Sequence, residues 1–540
     1  MSQKSISSWI KTPIYTIANL VKGVTYQKDQ ASKQPFSDSI SLLRATNIQN
    51  YYLNFDDLVY VPSDKVKDEQ ILRKNDIIFA MSSGSKHLVG KSAKYNSDIN
   101  ITFGAFCSAL RVSELLEPAF FAYFFQTKEF RLGISLISKG SNINNLKNEH
   151  ILDYEIYLPP LNEQKRIVQK IEELFSEIDD GIRSLETAKK QLDIYREAIL
   201  IQAFEGKLTE EWRRNHQNLV FTTEILKSKF SDERKFRYEN EIEKWKASVK
   251  EWELKQLEGR KPIKPRAPKD VQKLTHDTLS TLPAIPSEWY WDTLGNITSG
   301  VEYGTSAKSQ ESGSVPVIRM GNIQQGVIDW DDLVYTSDEQ EIKQYELKAG
   351  DVLFNRTNSP ELVGKTAIYK GEQPAIFAGY LIRVNHYSNL IDSNFLNYYL
   401  NSHIAKIYGN SVKTDGVNQS NINGEKLQNY PFPFCSLEEQ REIVKIISNF
   451  LDKEKVTRQY LDSELKRAHL LKQSILHKAF SGQLVPQDPN DEPASVLLER
   501  IKAEKEEELA KAKANKTPKK PTKRKTKTTK EDEPAQQELI

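Results

Sequence analysis

The longest regular pattern in the chain lies between residues 163 and 204, a stretch without proline and with a single glycine. Placing Ile171, Ile178, Leu185, Leu192 and Ile199 at heptad position a puts Ile167, Leu174, Gly181, Ala188 and Tyr195 at d. Apolar residues sustained at those two positions predict a coiled-coil helix. At a rise of 1.5 Å per residue such a helix is roughly 60 Å long. Alone it would leave its seam in water, so it needs a partner. Residues 439–481 supply a second seam in matching register, carried by Ile443, Ile447, Phe450, Leu461, Ala468, Leu471 and Ile475 and interrupted where Glu454, Thr457 and Glu464 take seam positions. The alternative is that each helix packs only on its own domain.

Ahead of each helix lie about 150 residues with a different pattern. Short β-prone runs, such as Asp76-Ile77-Ile78-Phe79 and Val352-Leu353-Phe354, are broken by Gly, Ser, Asn and Pro, and short helices are expected at residues 120–130 and 394–407. The two halves are copies. Asp56-Asp57-Leu58-Val59-Tyr60 recurs as Asp331-Asp332-Leu333-Val334-Tyr335, about 275 residues on. Arg44-x-x-Asn47-Ile48 recurs as Arg319-x-x-Asn322-Ile323, Asn75-Asp76 as Gly350-Asp351, and Leu88-Val89-Gly90-Lys91 as Leu362-Val363-Gly364-Lys365. Glu163-Gln164 matches Glu439-Gln440, and Ala203-Phe204-x-Gly206-x-Leu208 matches Ala479-Phe480-x-Gly482-x-Leu484. Collinear matches of this kind predict a duplicated architecture: an α+β chain of two tandem mixed α/β domains, residues 1–160 and 282–436, each followed by a long helix, 161–212 and 437–485. A charged helical insert with a Pro-rich linker (213–281) separates the halves and is expected to have no counterpart in the second copy; a low-complexity basic tail, expected to be disordered, occupies 486–540.

Composition adds limits. Of 540 residues 38% are apolar and 28% charged, with a net charge of only +2, which neither supports nor excludes a nucleic-acid partner. The two cysteines, Cys107 and Cys435, stand far apart, which argues against a zinc site or a disulfide framework. The N-terminus lacks the apolar core of a signal peptide and the longest apolar run, 119–125, is too short for a bilayer; a cytoplasmic protein is expected. The run of Lys, Thr and Pro over 516–530 reads either as a phosphate-binding tail or as a solvated one.

Motifs for catalysis are missing or incomplete. Gly90-Lys91-Ser92 and Gly364-Lys365-Thr366 look like the end of a phosphate-binding loop, but Ser85 and Ser359 stand where its first glycine belongs. Glu205-x-Lys207 is half a nuclease motif, and its counterpart is Ser481-x-Gln483. Leu158-Pro159-Pro160-Leu161 lacks the polar and aromatic ends of an adenine-methylation motif. DNA-reading chemistry is available in Arg44, Asn47, Lys86, His87, Lys91, Arg319, Asn322, Arg356, Asn358 and Lys365. Arg and Asn can bond guanine and adenine edges bidentately, and Lys neutralises phosphate. For the repeated pairs Arg44/Arg319 and Asn47/Asn322 the competing role is holding the fold. Base specificity is expected where the copies differ, at 82–87 against 356–361.

The run Leu158-Pro-Pro-Leu-Asn-Glu-Gln-Lys-Arg-Ile-Val168, with the helix end Ala203-Phe204-Glu-Gly206-Lys-Leu208, resembles specificity subunits of type I restriction-modification systems. So do Phe434-Cys-Ser-Leu-Glu-Glu-Gln-Arg-Glu-Ile-Val444 and Gly350-Asp351-Val352-Leu353-Phe354-Asn355-Arg356. The resemblance covers about residues 10–485 and leaves the insert and the tail open. It implies two target-recognition domains, each reading half of a split double-stranded DNA site, and two helices paired antiparallel as a spacer. It further implies two modification subunits, which use S-adenosylmethionine at adenine N6 and dock on the helices, and ATP- and Mg-dependent restriction subunits. The chain itself is expected to carry no catalytic residue, cofactor or metal. The other reading of the same features is a coiled-coil docking scaffold with incidental DNA affinity.

Overall fold

The computed structural model describes residues 8–49, 52–83, 88–137, 144–254, 261–265, 267 and 273–514. The chain divides into two compact units, Met1–Ser184 with Glu464–Ile540, and Leu185–Ser463. Each contains one of the repeated domains and a stretch of both long helices.

In the first unit the domain is built on a four-stranded antiparallel sheet with the order Ala18–Lys22, Cys107–Val112, Ile77–Ala80, Ser92–Lys94. Ile77–Ala80 is buried at every position, as expected for a central strand covered on both faces. A three-stranded sheet places Ser39–Leu43 parallel to Ile101–Phe103 and antiparallel to Val59–Pro62. Ile10–Pro13 pairs antiparallel with Glu155–Leu158, joining the domain's two ends just before the first long helix begins.

The second unit repeats this plan. Thr298–Tyr303, Leu381–His386, Val352–Asn355 and Thr366–Ile368 form the matching sheet, extended here by Gly326–Ile328 and Ile323–Gln324. Tyr290–Thr293 pairs with Pro431–Phe434 at the domain ends. The helix expected at 120–130 is two helices, Pro118–Phe124 and Lys128–Ile137, and the one expected at 394–407 is likewise Ser393–Leu400 and His403–Val412. The second break follows from Ser402, whose hydroxyl accepts the Ala405 amide at 3.4 Å and so caps a new helix.

Both long helices have 44 residues, Leu161–Phe204 and Leu437–Phe480. They run antiparallel in each unit. In the first, Asp179 pairs with Lys472; in the second, Lys189 with Asp462, Asp193 with Arg458 and Arg196 with Glu454. Ile167, Ile171, Ile443, Ile447, Leu461 and Ile475 are buried, and Leu174, Ile178, Leu185, Leu192, Ile199 and Phe450 are half-buried along the same seam. Tyr195 and Phe450 meet edge to face at 5.1 Å.

The interruption at Glu454 is an ionic knot. Glu454 is 5% exposed. It accepts a hydrogen bond from Arg458 at 2.7 Å, and the same guanidinium reaches Asp193 at 2.6 Å across the helix pair. These two carboxylates hold Arg458 above its ordinary pKa. Leu471 departs from its expected seam position and is 50% exposed. The neighbouring Lys472 turns inward instead, its ammonium 4.8 Å from the Phe175 ring centre and paired with Asp179. A straight helix drifts against a 3.5-residue repeat, and a long amphipathic lysine stem can fill the resulting offset.

The segments after the two helices correspond, contrary to the expectation that the insert has no counterpart. Thr223–Leu254 follows the first helix and packs Leu226 and Phe230 into the second unit's core. Ala494–Ala514 follows the second helix and packs Leu497, Leu498 and Ile501 into the first unit's core. The low-complexity reading from residue 486 therefore gives way to a docked helix as far as 514, because its apolar residues share one face. The basic run at 516–530 lies outside the described residues.

Candidate nucleic-acid interface

Most of the repeated islands hold loops and helix starts in place. Asn47 and Asn322 are each 3% exposed. The Asn47 amide donates to the Asn54 and Asp57 carbonyls, both at 3.0 Å, and its oxygen accepts the Arg44 backbone amide at 2.8 Å. Asn322 repeats this with the Asp329 and Asp331 carbonyls and with Arg319, at 3.0, 2.9 and 3.0 Å. The Arg44 and Arg319 side chains reach Asp57 and Asp332 from the same loops. Asn75 and Gly350 sit at φ 75° and 97°, the left-handed region that favours these two residue types. They let Asp76 and Asp351 accept the Arg73 and Lys348 amides while pairing with Arg111 and Arg383.

Sequence reasoning missed why Glu-Gln recurs at the helix starts. Trp9 donates its indole N–H to Glu163 at 3.0 Å, and Trp289 does the same to Glu439 at 3.0 Å. Gln164 donates to the Pro159 carbonyl and accepts from the Glu117 amide, at 2.9 and 3.1 Å. Gln440 donates to the Cys435 carbonyl and accepts from the Asp392 amide, at 3.0 and 2.9 Å. Glu117 and Asp392 are themselves N-caps of domain helices, so each glutamine ties a domain to its long helix. The signal was available: a Trp precedes each domain's first strand.

The duplicated Gly-Lys motif is a turn between strands. The Gly90 amide donates to the Ala80 carbonyl at 2.8 Å and the Gly364 amide to the Asn355 carbonyl at 2.9 Å, and the chain then enters Ser92–Lys94 or Thr366–Ile368. A phosphate-binding loop leads into a helix instead. Lys91 is half-buried and its burial lowers its pKa. Lys365 reaches Gln324 at 3.4 Å at the edge of a cleft of about 610 Å³, whose lining also includes Arg196, Glu361, His403 and Lys406.

Within the stretches that differ between the copies, Ser82–Ser83 and Thr357–Asn358 lie on small separate sheets. Ser82–Ser83 pairs with Asn144–Asn145, while Lys86 and His87 lie outside the described residues. Thr357–Asn358 pairs with Ser420–Asn421, which pairs in turn with Thr414–Asp415. Beside them the Arg356 guanidinium lies 4.9 Å from the Tyr303 ring centre and donates to the Gly379 carbonyl at 3.3 Å. Thus Arg356, Asn358 and the 414–421 hairpin are brought together, whereas Arg319 and Asn322 sit in a different loop.

Among the described residues no cluster of His, Cys, Asp or Glu could hold a metal ion, and no helix is long and apolar enough to cross a membrane. The two cysteines are free and buried, with burial pushing the Cys107 thiol up to about 12.

Comparison with known proteins agrees with this arrangement. The family model for the type I restriction modification DNA specificity domain matches twice, at residues 7–187 and 292–467. The chain is 30% identical to the type I restriction enzyme EcoKI specificity subunit of Escherichia coli K12, over 92% of this chain and 95% of that one. It is 29% identical, with the same coverages, to the StySPI specificity subunit of Salmonella potsdam. A solved structure concerning complex assembly and conformational transition of the type I R-M system superposes with a TM-score of 0.59, covering 88% of this chain and 98% of its own at 17% identity, a likeness of fold. On its two matching domains and its near-complete overlap with such relatives, the chain belongs to the type I restriction-modification DNA specificity family.

Proposed function

We propose that this chain is the sequence-reading subunit of a type I restriction-modification complex. It reads a bipartite, asymmetric site in double-stranded DNA and directs two modification subunits, with S-adenosylmethionine as methyl donor at adenine N6, and ATP- and Mg-dependent restriction subunits. The chain positions that chemistry and performs none of it. One observation carries the reading: two domains share the same loop-holding contacts yet differ in sequence around the small sheets that hold Ser82–Ser83 and Thr357–Asn358. Two readers on one scaffold with different contact residues recognise two different half-sites. Within them, Arg356, Asn358, Lys365 and Lys91 are the contact candidates, and Arg44, Asn47, Arg319 and Asn322 support the loops behind.

The helices favour partner docking in the same complex. Ile194, Val456, Tyr460 and Leu470 are exposed on them, and of these Tyr460 is of the residue type that most often anchors a partner. The test is a map of N6-methyladenine in host DNA with and without the chain, its modification partners present. Loss of a bipartite motif on removing the chain is the expected result; an unchanged methylome would overturn the proposal.

A further inference from the structure

Residues 414–419 are exposed at every position, and Val417 is 100% exposed, more than any other large hydrophobic among the described residues. This tip is braced rather than loose. The Gly416 amide donates to the Gln419 carbonyl at 2.7 Å. Ser420 donates to Asp415. Asn421 donates to the Thr357 hydroxyl at 2.7 Å, and the Ile422 amide to the Arg356 carbonyl at 2.9 Å. Lys413 donates to the Pro360 carbonyl at 3.1 Å and Lys426 to the Thr414 hydroxyl at 2.6 Å. The hairpin is thereby fixed to the 356–361 stretch that distinguishes the two copies. A rigid two-stranded ribbon ending in a fully exposed valine leaves apolar surface in water with no gain inside the domain, which suits an element that finishes its contacts on a ligand.

The sequence supplies a second observation. The first copy reads Lys139-Gly140-Ser141-Asn142-Ile143-Asn144-Asn145, and the second reads Asp415-Gly416-Val417-Asn418-Gln419-Ser420-Asn421. Gly, Asn and Asn recur at the same places, as in Gly416, Asn418 and Asn421, whereas Val417 replaces Ser141 and Gln419 replaces Ile143. The frame is shared and the positions between are exchanged, the pattern of a common scaffold with different contact residues.

We propose that the Val417–Gln419 tip reads base edges in the DNA major groove. The groove admits a two-stranded β-ribbon, a valine methyl packs on the thymine methyl, and a glutamine amide bonds adenine at N6 and N7. The half-site of this domain therefore contains an A·T pair set by these two side chains. This rests on the sequence-reading function proposed above and names residues for it.

The test exchanges the tip residues for those of the first copy, V417S/Q419I, in the full chain expressed with its modification partners, and maps N6-methyladenine. Both positions are exposed, so folding and assembly are expected to be unchanged by co-purification. One half-site should change or relax at one or two bases while the other stays as in wild type. With the purified complex, discrimination between the wild-type site and duplexes substituted at those bases should fall at least tenfold, as expected when a base-specific contact is lost. Identical motifs for variant and wild type, or a variant that no longer co-purifies with its modification partners, would overturn the role of the tip alone. A wild-type methylome without any bipartite motif would overturn the sequence-reading function, and this assignment with it.

Discussion

Glu163 and Glu439 occupy equivalent places and accept the same indole bond, yet their surroundings differ. Glu439 also meets the buried Arg213 guanidinium and the Thr209 hydroxyl, the latter at 2.7 Å. Glu163 is held by Trp9 and Gln487 with Arg166 nearby, and burial, the largest influence, raises its pKa. The consequences separate. Glu439→Gln leaves a buried guanidinium without its counter-charge, a change that costs about 3–5 kcal/mol; urea unfolding at neutral pH should show it. Glu163 works in the opposite direction. A carboxyl with a raised folded pKa favours the fold when protonated, and that contribution is lost as pH rises through the raised value. Glu163→Gln, which can still accept from Trp9, should therefore remove this part of the pH dependence. Its stability relative to wild type should be greatest at neutral pH and decline towards the ordinary glutamate range. A relative stability independent of pH across that interval would show that the side chain titrates normally.

Elements in this protein end where a side chain or a glycine makes them end. The first long helix closes at Gly206, φ 69°, where the Lys207 amide returns to the Gln202 carbonyl at 2.9 Å, a left-handed helix stop. A β-carbon there would lie 2.6 Å from Pro286 Cγ. Gly206→Ala is thus expected to lose about 1–3 kcal/mol from backbone strain, with further loss from the contact; calorimetry can check it. The C-terminal helix gives a sharper comparison. Removing residues 494–540 exposes the sites of Leu497, Leu498 and Ile501, each of which stabilises by about 1.5–3 kcal/mol when fully buried. Removing 515–540 leaves those contacts in place. The longer truncation should destabilise the first unit, seen as faster amide exchange in residues 14–18, where Lys505 donates to the Tyr15 and Ala18 carbonyls at 2.6 and 2.8 Å; the shorter should not. Equal protection in both truncations would mean that this helix contributes little.

For the whole molecule the proposed division of labour ties two helix lengths to one DNA distance. Deleting one heptad from each helix removes about 10 Å of rise, close to three base pairs at 3.4 Å each. The expected methylome has a spacer shorter by about three base pairs and unchanged half-sites; altered half-sites with the original spacer would contradict it. A whole heptad preserves the seam, although the deletion must avoid the Glu454–Arg458–Asp193 knot. Polar groups inside a seam are well placed to fix its register, so Glu454→Leu should weaken the preference for this pairing by leaving Arg458 to Asp193 alone.

The amino-acid sequence by itself determined the duplication, the two long helices and the strands Ile77–Ala80 and Val352–Asn355. Those features depend on local periodicity: seam residues every 3.5 positions, and short apolar runs such as Ile77–Phe79 and Val352–Phe354 between turn residues. It also marked Arg44/Arg319 and Asn47/Asn322 as paired, without separating a reading role from a supporting one. Tertiary structure placed those amides on buried backbone carbonyls, which depends on where residues 54–57 and 329–332 come to lie. It turned Lys472 inward in place of Leu471, because helix drift and the Phe175 ring decide that position together. It matched the Thr223–Leu254 helix to Ala494–Ala514, whose sequences differ and whose likeness is the place each one fills. The 414–421 hairpin stayed hidden for the same reason. Its frame is too short to stand out in one sequence, and only its pairing with Thr357–Asn358 brings the hairpin beside the stretch in which the two copies differ.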